Sequence, residues 1–333
     1  MKKLLDKKDR KLLYYLSLNA RQSNTQLSKK IHLSKNAIAY RIERLQKEKI
    51  ITQFSTVINI GSLGCTTIAF LMKFNEDIYE KKEIISYFKH HPFANWVITL
   101  SGQWDLFCEF IIDDITKIYQ LTDEIIERWG KTINTQRLFI SKETLRVEHL
   151  IADFYQDLKV EKIAQKERTS TIQKIDLTDK KILHHLNENS TLSYIQLANK
   201  INSSVDIIYY RIKNMQKNNL ILKYFAEISL PKLGYTEYLY QLKLKNTNLT
   251  SLYKIKKQLQ YNQNITYAFI DAASLTILFV CAYQNTQGID HLSRLLRKEF
   301  QEIIEEQEYY IIKEQIQYTQ FPKGMVKYSD GHK

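Results

Sequence analysis

From residue 34 to residue 47 the apolar positions follow a helical period. Ile38, Ile42 and Leu45 fall at i, i+4 and i+7 and make one narrow stripe. Lys35, Asn36, Tyr40, Arg41, Arg44 and Lys47 occupy the opposite face, and Ser34 stands where its oxygen caps the first turn. Upstream, Asp6 and Asp9 open a helix at its positive end, and its buried stripe is Leu12, Leu13 and Leu16. Ser23-Asn-Thr-Gln26 is a capping box for a short helix ending at Ile31, and His32-Leu33 is the tight turn that follows. Ile50, Ile51 and the alternation over 54–58 predict a strand leaving the third helix, which completes a helix-turn-helix head with a β element. Next, strands are expected over 65–75, 93–100, 105–112 and 133–140. They are interleaved with helices over 77–91 (Ile78, Ile84, Ile85, Phe88 inward) and 115–129 (Ile115, Ile118, Ile125, Trp129 inward). That order is βαββαβ, a ferredoxin-like split sheet.

The whole pattern then repeats. At an offset of 170, residues 6–64 match residues 176–234 at 22 of 59 positions without a gap, so the halves are a duplication. A second βαββαβ set is expected over 236–245, 251–260, 265–270, 275–283, 289–304 and 308–318. Between the copies, Val147, Leu150, Ile151, Phe154, Tyr155 and Leu158 share one helical face and predict a docked helix over 147–164, followed by a polar stretch over 166–174. The chain is expected to fray from Phe321 onward. The fold class is therefore α+β, with two winged or helix-turn-helix heads, each followed by a ferredoxin-like domain. The expected divisions are 1–61, 62–146, a helical linker 147–174, 175–231, 232–321 and a tail 322–333.

Charge gives this architecture a direction. The 333 residues carry a net +13 with pI near 9.3, which favours a polyanionic partner. Residues 34–47 hold four basic and one acidic side chain (+3), and residues 204–217 hold three and one (+2). A helix with its back on a small core and cations and amides outward suits a DNA major groove. The expected contacts are Ser34, Lys35, Asn36, Tyr40, Arg41, Arg44 and Lys47 in the first copy. In the second they are Ser204, Tyr209, Tyr210, Arg211, Lys213 and Lys217. Basic residues set register on phosphates, while Asn36 and Tyr40 reach base edges. The copies diverge at this helix: Val205 replaces Lys35, Asp206 replaces Asn36 and Tyr209 replaces Ala39. Three distant cysteines (Cys65, Cys108, Cys281) read as buried thiols of a reducing compartment. Apolar runs are only strand-length and the start of the chain has no apolar signal core, so a cytoplasmic protein without membrane contact is expected. No paired carboxylates, nucleophile triad, Gly-rich phosphate loop or metal cluster appears, so no catalytic residue, metal or cofactor is expected. His32 reads as a solvated turn histidine.

Asp6-x-x-Asp9, Leu13, Asn19-Ala20-Arg21, Leu27-Ser28, Leu33-Ser34, Ile38, Arg41-Ile42-x-Arg44-Leu45, Ile50-Ile51 and Leu63-Gly64 resemble the Lrp/AsnC (feast/famine) transcription regulators over about sixty residues. Lys49 departs from that pattern, standing where the family usually has glycine, and must take a left-handed conformation at modest cost. The resemblance implies double-stranded DNA as partner and dimers with higher homo-oligomers. Here one chain would act as an intrachain pseudo-dimer in which the strand over 54–58 pairs with that over 224–228. It also implies an amino-acid effector near Gly102-Gln-Trp-Asp105, with Gly102, Trp104 and Asp105 as its contacts; the bland reading of the same residues is a hairpin glycine and a turn-capping carboxylate. The second copy has Ala272-Ala-Ser-Leu275 there, so its ferredoxin-like domain is expected to be structural. An alternative comes from sirohaem decarboxylases, which resemble this family and also occur as two-copy chains. They carry a His-x-Tyr-x-Arg stretch, where this chain has His90-His91-Pro-Phe-Ala and Tyr261-Asn-Gln-Asn.

Overall fold

The computed structural model describes residues 5–75, 78–160, 171–245 and 248–327. The side chain of Ile78, the end of the expected linker helix, most of the polar stretch after it and the last residues of the tail lie outside them. The first head comprises α1 (Lys7–Leu18), α2 (Asn24–Ile31), α3 (Lys35–Lys47) and β1 (Ile51–Ile58). A ferredoxin-like set follows: β2 (Thr66–Phe74), α4 (Ile78–His90), β3 (Ala94–Ser101), β4 (Leu106–Ile112), α5 (Lys117–Trp129) and β5 (Ile133–Val147). The second copy repeats the order with α6 (Leu177–Glu188), α7 (Tyr194–Ile201), α8 (Val205–Lys217) and β6 (Ile221–Ile228). It continues through β7 (Thr236–Leu244), α9 (Leu249–Tyr261), β8 (Ile265–Asp271), β9 (Thr276–Tyr283), α10 (Thr286–Phe300) and β10 (Ile304–Tyr318), and α11 (Gly324–Lys327) ends the described chain. Contacts group these elements into two compact units: both heads with 149–233 and the C-terminal residues, and both ferredoxin-like sets.

In the two heads each of the six helix starts is fixed by its own sequence. Asp6 and Asp9 form a reciprocal capping box, as do Asp176 and Asp179. Ser23 with Gln26 and Ser193 with Gln196 do the same for α2 and α7. Behind the caps, Leu12, Leu13, Leu27, Ile31, Ile38 and Leu45 close one small core, and Ile182, Leu183, Leu186, Leu197, Ile208 and Ile212 close the other. The strands that leave these cores are joined. β1 and β6 are antiparallel, with Phe54 opposite Ala226, Ser55 opposite Phe225 and Thr56 opposite Tyr224, as the intrachain pairing expected over 54–58 and 224–228 requires. The exchange extends to the helices, because α1 packs on β6 and α6 packs on β1. Ala20 N–H donates to the Tyr224 carbonyl, and Ser190 N–H donates to the Phe54 carbonyl, both at about 3 Å. Lys49 and its counterpart Asn219 both sit at φ 55°, so the left-handed turn after the third helix is kept in each copy, at a steric cost for the lysine.

The segment after β5 corrects the linker expectation. Val147 is a strand residue paired with Tyr267, and Glu148 N–H continues the ladder onto the Thr266 carbonyl, so this backbone is committed to a sheet. Among the described residues of the expected linker helix, Ala152–Phe154 form a single helical turn, of the 3-10 type. The apolar face was real nonetheless: Leu150, Ile151, Phe154 and Leu158 are buried. Arg10 holds this segment by donating to the Phe154 carbonyl and pairing with Asp157, and Tyr14 packs on Tyr155 at 4.8 Å between ring centroids. The frayed tail is corrected as well. Phe321 is fully buried, and α11 packs on α6.

The second unit is a closed antiparallel barrel in the order β10-β3-β4-β2-β5-β8-β9-β7. Each copy supplies four neighbours in ferredoxin-like order. β5 and β10, 15 residues long each, then continue past their own sheets to pair with β8 and β3 of the other copy. A period of two sorts the side chains. Leu239, Phe269, Leu278 and Val280 point into one core with Leu71, Trp96, Ile98, Phe107 and Phe139 of the first copy. Tyr238, Tyr240, Ala268, Ile270, Ile277 and Phe279 point the other way, beneath Ile255, Leu259, Ile289 and Leu296 of α9 and α10. Both faces of these strands are buried, which is why their sequences read as continuous apolar runs.

A buried carboxyl interrupts that core. Glu109 on β4 is buried, accepting from Asn95 Nδ2 at 2.5 Å and from Tyr267 Oη of the second copy at 2.7 Å. Burial pushes its carboxyl up to about 7, against the opposing pull of Tyr267 and Asn95. A raised folded value means stability is full below the unfolded value and is lost as pH climbs through the folded one. Measured against Glu109→Gln, the wild-type protein should therefore lose about 3 kcal/mol as pH rises from about 4 to about 8; a pH-independent difference would contradict this. Separately, Lys49→Gly should raise the unfolding free energy by about 0.5–1 kcal/mol in denaturant titration, since glycine relieves the positive φ.

Candidate nucleic-acid interface

The outward faces of α3 and α8 are built by local rules. Ser34 caps α3 by accepting from Ala37 N–H at 3.2 Å, and Ser204 caps α8 by accepting from Ile207 N–H at 3.3 Å. Buried Ile38 and Leu45, and Ile208, Ile212 and Met215, hold the helices to their cores. Lys35, Asn36, Tyr40 and Lys47 are left exposed on one helix, and Tyr209, Tyr210, Lys213 and Lys217 on the other. Tyr40 and Tyr210, equivalent in the two copies, are 66% and 72% exposed, so neither ring serves its own core.

The arginines differ from the sequence expectation. Arg41 Nη1 donates to Asp6 Oδ2 at 2.7 Å and to Asp9 Oδ1 at 2.6 Å, and Arg44 Nη2 meets Asp9 Oδ2 at 2.6 Å. Both guanidinium groups thus turn back to the cap of α1 instead of facing outward with the lysines. Arg211 repeats the arrangement with Asp176 at 2.7 Å and Asp179 at 2.9 Å. Partial burial pushes the Asp6 carboxyl upward, but the Asp9 backbone N–H and the Arg41 guanidinium together hold it below the usual carboxylate range. Asp176 is depressed by the same balance of burial, the Asp179 N–H and Arg211. Asn214 occupies the place of Arg44 in the second copy and is too short to reach Asp179. A cleft of about 780 Å³ opens there, lined among others by Asp179, Asp206, Ile207, Tyr210, Arg211 and Asn214.

The expected effector turn is also built from committed groups. Gly102 takes φ 110°, Trp104 is buried with Nε1 donating to Tyr310 Oη at 3.2 Å, and Arg137 lies over its ring at 5.1 Å. Asp105 Oδ2 accepts from Phe74 N–H at 2.8 Å and Oδ1 accepts from Lys81 at 3.3 Å. The second copy solves the same hairpin differently. Leu275 carries the positive φ, and Asp271 accepts from Ala273 N–H, Ser274 N–H and Ser274 Oγ.

Sequence reasoning missed two features of the head unit. His149 stacks flat on Phe225, with centroids 3.4 Å apart, and burial drives its basicity far down. Arg21 donates to the Ser190 and Leu192 carbonyls of the other copy and lies 5.2 Å from the rings of Tyr194 and Tyr224. Neither had a local signal, because their partners lie on the other copy. Cys65, Cys108 and Cys281 are buried. Among the described residues no three His, Cys, Asp or Glu side chains gather as a metal ligand set, and no helix is long and apolar enough to cross a membrane.

Comparison with known proteins agrees with this geometry. Residues 5–52 and 175–221 each match the winged helix-turn-helix DNA-binding family. An uncharacterized HTH-type transcriptional regulator of Pyrococcus abyssi is 35% identical over 108 residues, covering 32% of this chain and 72% of that protein. A counterpart in Pyrococcus horikoshii is 36% identical over the same length and shares. Among solved structures, the siroheme decarboxylase NirDL superposes with a TM-score of 0.61 over 96% of both chains at 10% identity, which is a likeness of fold. Two matching heads and these relatives place the sequence: the chain belongs to the HTH-type transcriptional regulators, and it carries the winged helix-turn-helix head twice.

Proposed function

We propose that the chain is a sequence-specific DNA-binding transcription regulator in which one polypeptide supplies both heads of a pseudo-dimer. The observation that carries this reading is the β1–β6 ladder. It holds two capped helices with exposed polar faces in one compact unit, the arrangement by which paired heads address two half-sites. Lys35 and Lys47, and Lys213 and Lys217, are the cations left to meet phosphates, while Asn36 and the tyrosines stand where base edges would lie. Arg41, Arg44 and Arg211 act one step back, fixing the helices against the capping carboxylates. The reading stops short of an amino-acid effector at Gly102, Trp104 and Asp105, because the groups an effector would use already have partners.

A second reading, a decarboxylase acting on a tetrapyrrole, draws on the likeness of fold to NirDL. Against it stand the residues at the expected positions. His90 Nδ1 contacts the Ser86 carbonyl, His91 lies against Phe110 and Glu124, and Tyr261 is exposed beside Lys257. Adding sirohaem to the purified protein should leave the visible spectrum of the free ligand unchanged; a shifted band would revive this reading.

Binding to duplex DNA should weaken with salt, log K falling by about 0.9 per phosphate contact against log[salt]. Lys35→Ala, Lys47→Ala, Lys213→Ala and Lys217→Ala should each flatten that slope by about one contact. Arg41→Ala should instead lower the unfolding free energy by about 2 kcal/mol, since it strips a partner from buried Asp9. Affinity indifferent to salt would overturn the proposal.

A further inference from the structure

The two recognition helices present different chemistry at their N-terminal ends, where such helices meet base edges. The first copy shows Lys35, Asn36, Ala37 and Ala39. The second shows Val205, Asp206, Ile207 and Tyr209, with Val205, Ile207 and Tyr209 between 40% and 49% exposed. Helix α8 therefore carries branched apolar side chains on a face that its own head does not bury. Tyr209 is already oriented: its ring meets Tyr194 edge-on at 5.3 Å, and the Lys213 ammonium lies 5.6 Å from its centroid.

Resting on the DNA-binding reading above, we propose that the second head reads its half-site through thymine methyl groups, contacted by Val205 and Ile207, with Asp206 accepting from a cytosine amino group. The C5-methyl of thymine is the one apolar feature the major groove offers, and the cytosine N4 amine is a donor that suits a carboxylate. The first head, with Asn36, suits the donor–acceptor pair of adenine. DNA fits this face better than a protein does. The apolar side chains are interleaved with Asp206, Lys213 and Asn214, and Lys213 and Lys217 continue along the helix as phosphate anchors do. The cap, the tyrosine at 210 and the Arg211 clamp match those of the first copy, so the helix is held in the same posture toward the same kind of partner.

The test begins with a duplex selected from a random pool by the full-length chain. Thymines are replaced by deoxyuracil one half-site at a time, which removes only the methyl group. Affinity is measured at fixed salt for the wild type and for Val205→Lys combined with Ile207→Ala, which installs the residues of the first copy. Uracil in one half-site should cost about fourfold per methyl contacted, and in the other half-site nothing. The double variant should lose that sensitivity while keeping salt-dependent binding, with an unchanged melting temperature as control for folding. Equal sensitivity in both half-sites, sensitivity in neither, or a double variant that stays sensitive overturns the proposal while leaving DNA binding intact. Sensitivity in neither half-site would return the exposed face of α8 to a protein partner. Failure to enrich or bind any duplex, even at low salt, overturns the DNA-binding reading itself and this proposal with it.

Discussion

The antiparallel ladder between β1 and β6 is the constraint on which the head unit depends. A three-helix head with one trailing strand leaves that strand with unpaired donors and acceptors, and a lone strand edge is a liability. Each strand is completed by the other, and each first helix packs on the strand of the opposite copy. Because both partners lie in one polypeptide, this association is intramolecular, and its cost is a loop-closure entropy that grows only slowly with the intervening length. Fusion also lifts a restriction. In a homodimer every substitution appears on both heads, whereas here each head changes alone. Arg21 against Thr191, Arg44 against Asn214 and Asn36 against Asp206 are changes that a symmetric pair could not carry singly.

The barrel applies the same rule to the ferredoxin-like sets. Four strands of each copy would end in an open edge, and β5 and β10 close both edges by continuing onto the opposite copy. The interior is then shared, Trp96 and Phe107 of one copy packing with Phe269 and Val280 of the other. Glu109 lies within this shared layer, its carboxyl accepting from Tyr267 across the copies. A hydrogen-bonded carboxyl in an apolar layer adds little stability but favours one register of the two copies over others.

Much of this was legible because it is local. Helix periods, capping boxes, the 170-residue repeat and the left-handed turn at Lys49 are read within a few residues or by aligning the chain with itself. The intrachain strand pairing followed from resemblance and duplication together. What escaped depends on partners far away in sequence. The periodicity put Arg41 and Arg44 outside the apolar stripe, which is correct, but it carried no sign that Asp6 and Asp9, more than thirty residues earlier, would draw them back. The second half of β5, Ser141 to Val147, is too polar to announce a strand and becomes one because β8 supplies its ladder. The linker helix failed for the same reason, since a wheel projection finds an apolar face but cannot tell which backbone donors are already used.

The ion pairs also change what the charge count means. Read from sequence, the first recognition helix exceeds the second by one positive charge. With Arg41 and Arg44 held by Asp6 and Asp9, and Arg211 by Asp176 and Asp179, each helix keeps two exposed lysines on its outward face, Lys35 and Lys47 on one and Lys213 and Lys217 on the other. The electrostatic anchoring of the heads is thereby nearly balanced, although their sequences have drifted apart. Their divergence is concentrated instead in the first turn and a half, at 35–39 and 205–209, where Asn36 on one head and Val205, Asp206 and Ile207 on the other decide which base edges fit. Under the proposed reading, affinity is shared evenly between the heads while specificity is divided, a distribution open to a fused pair but not to two copies of a single-headed chain.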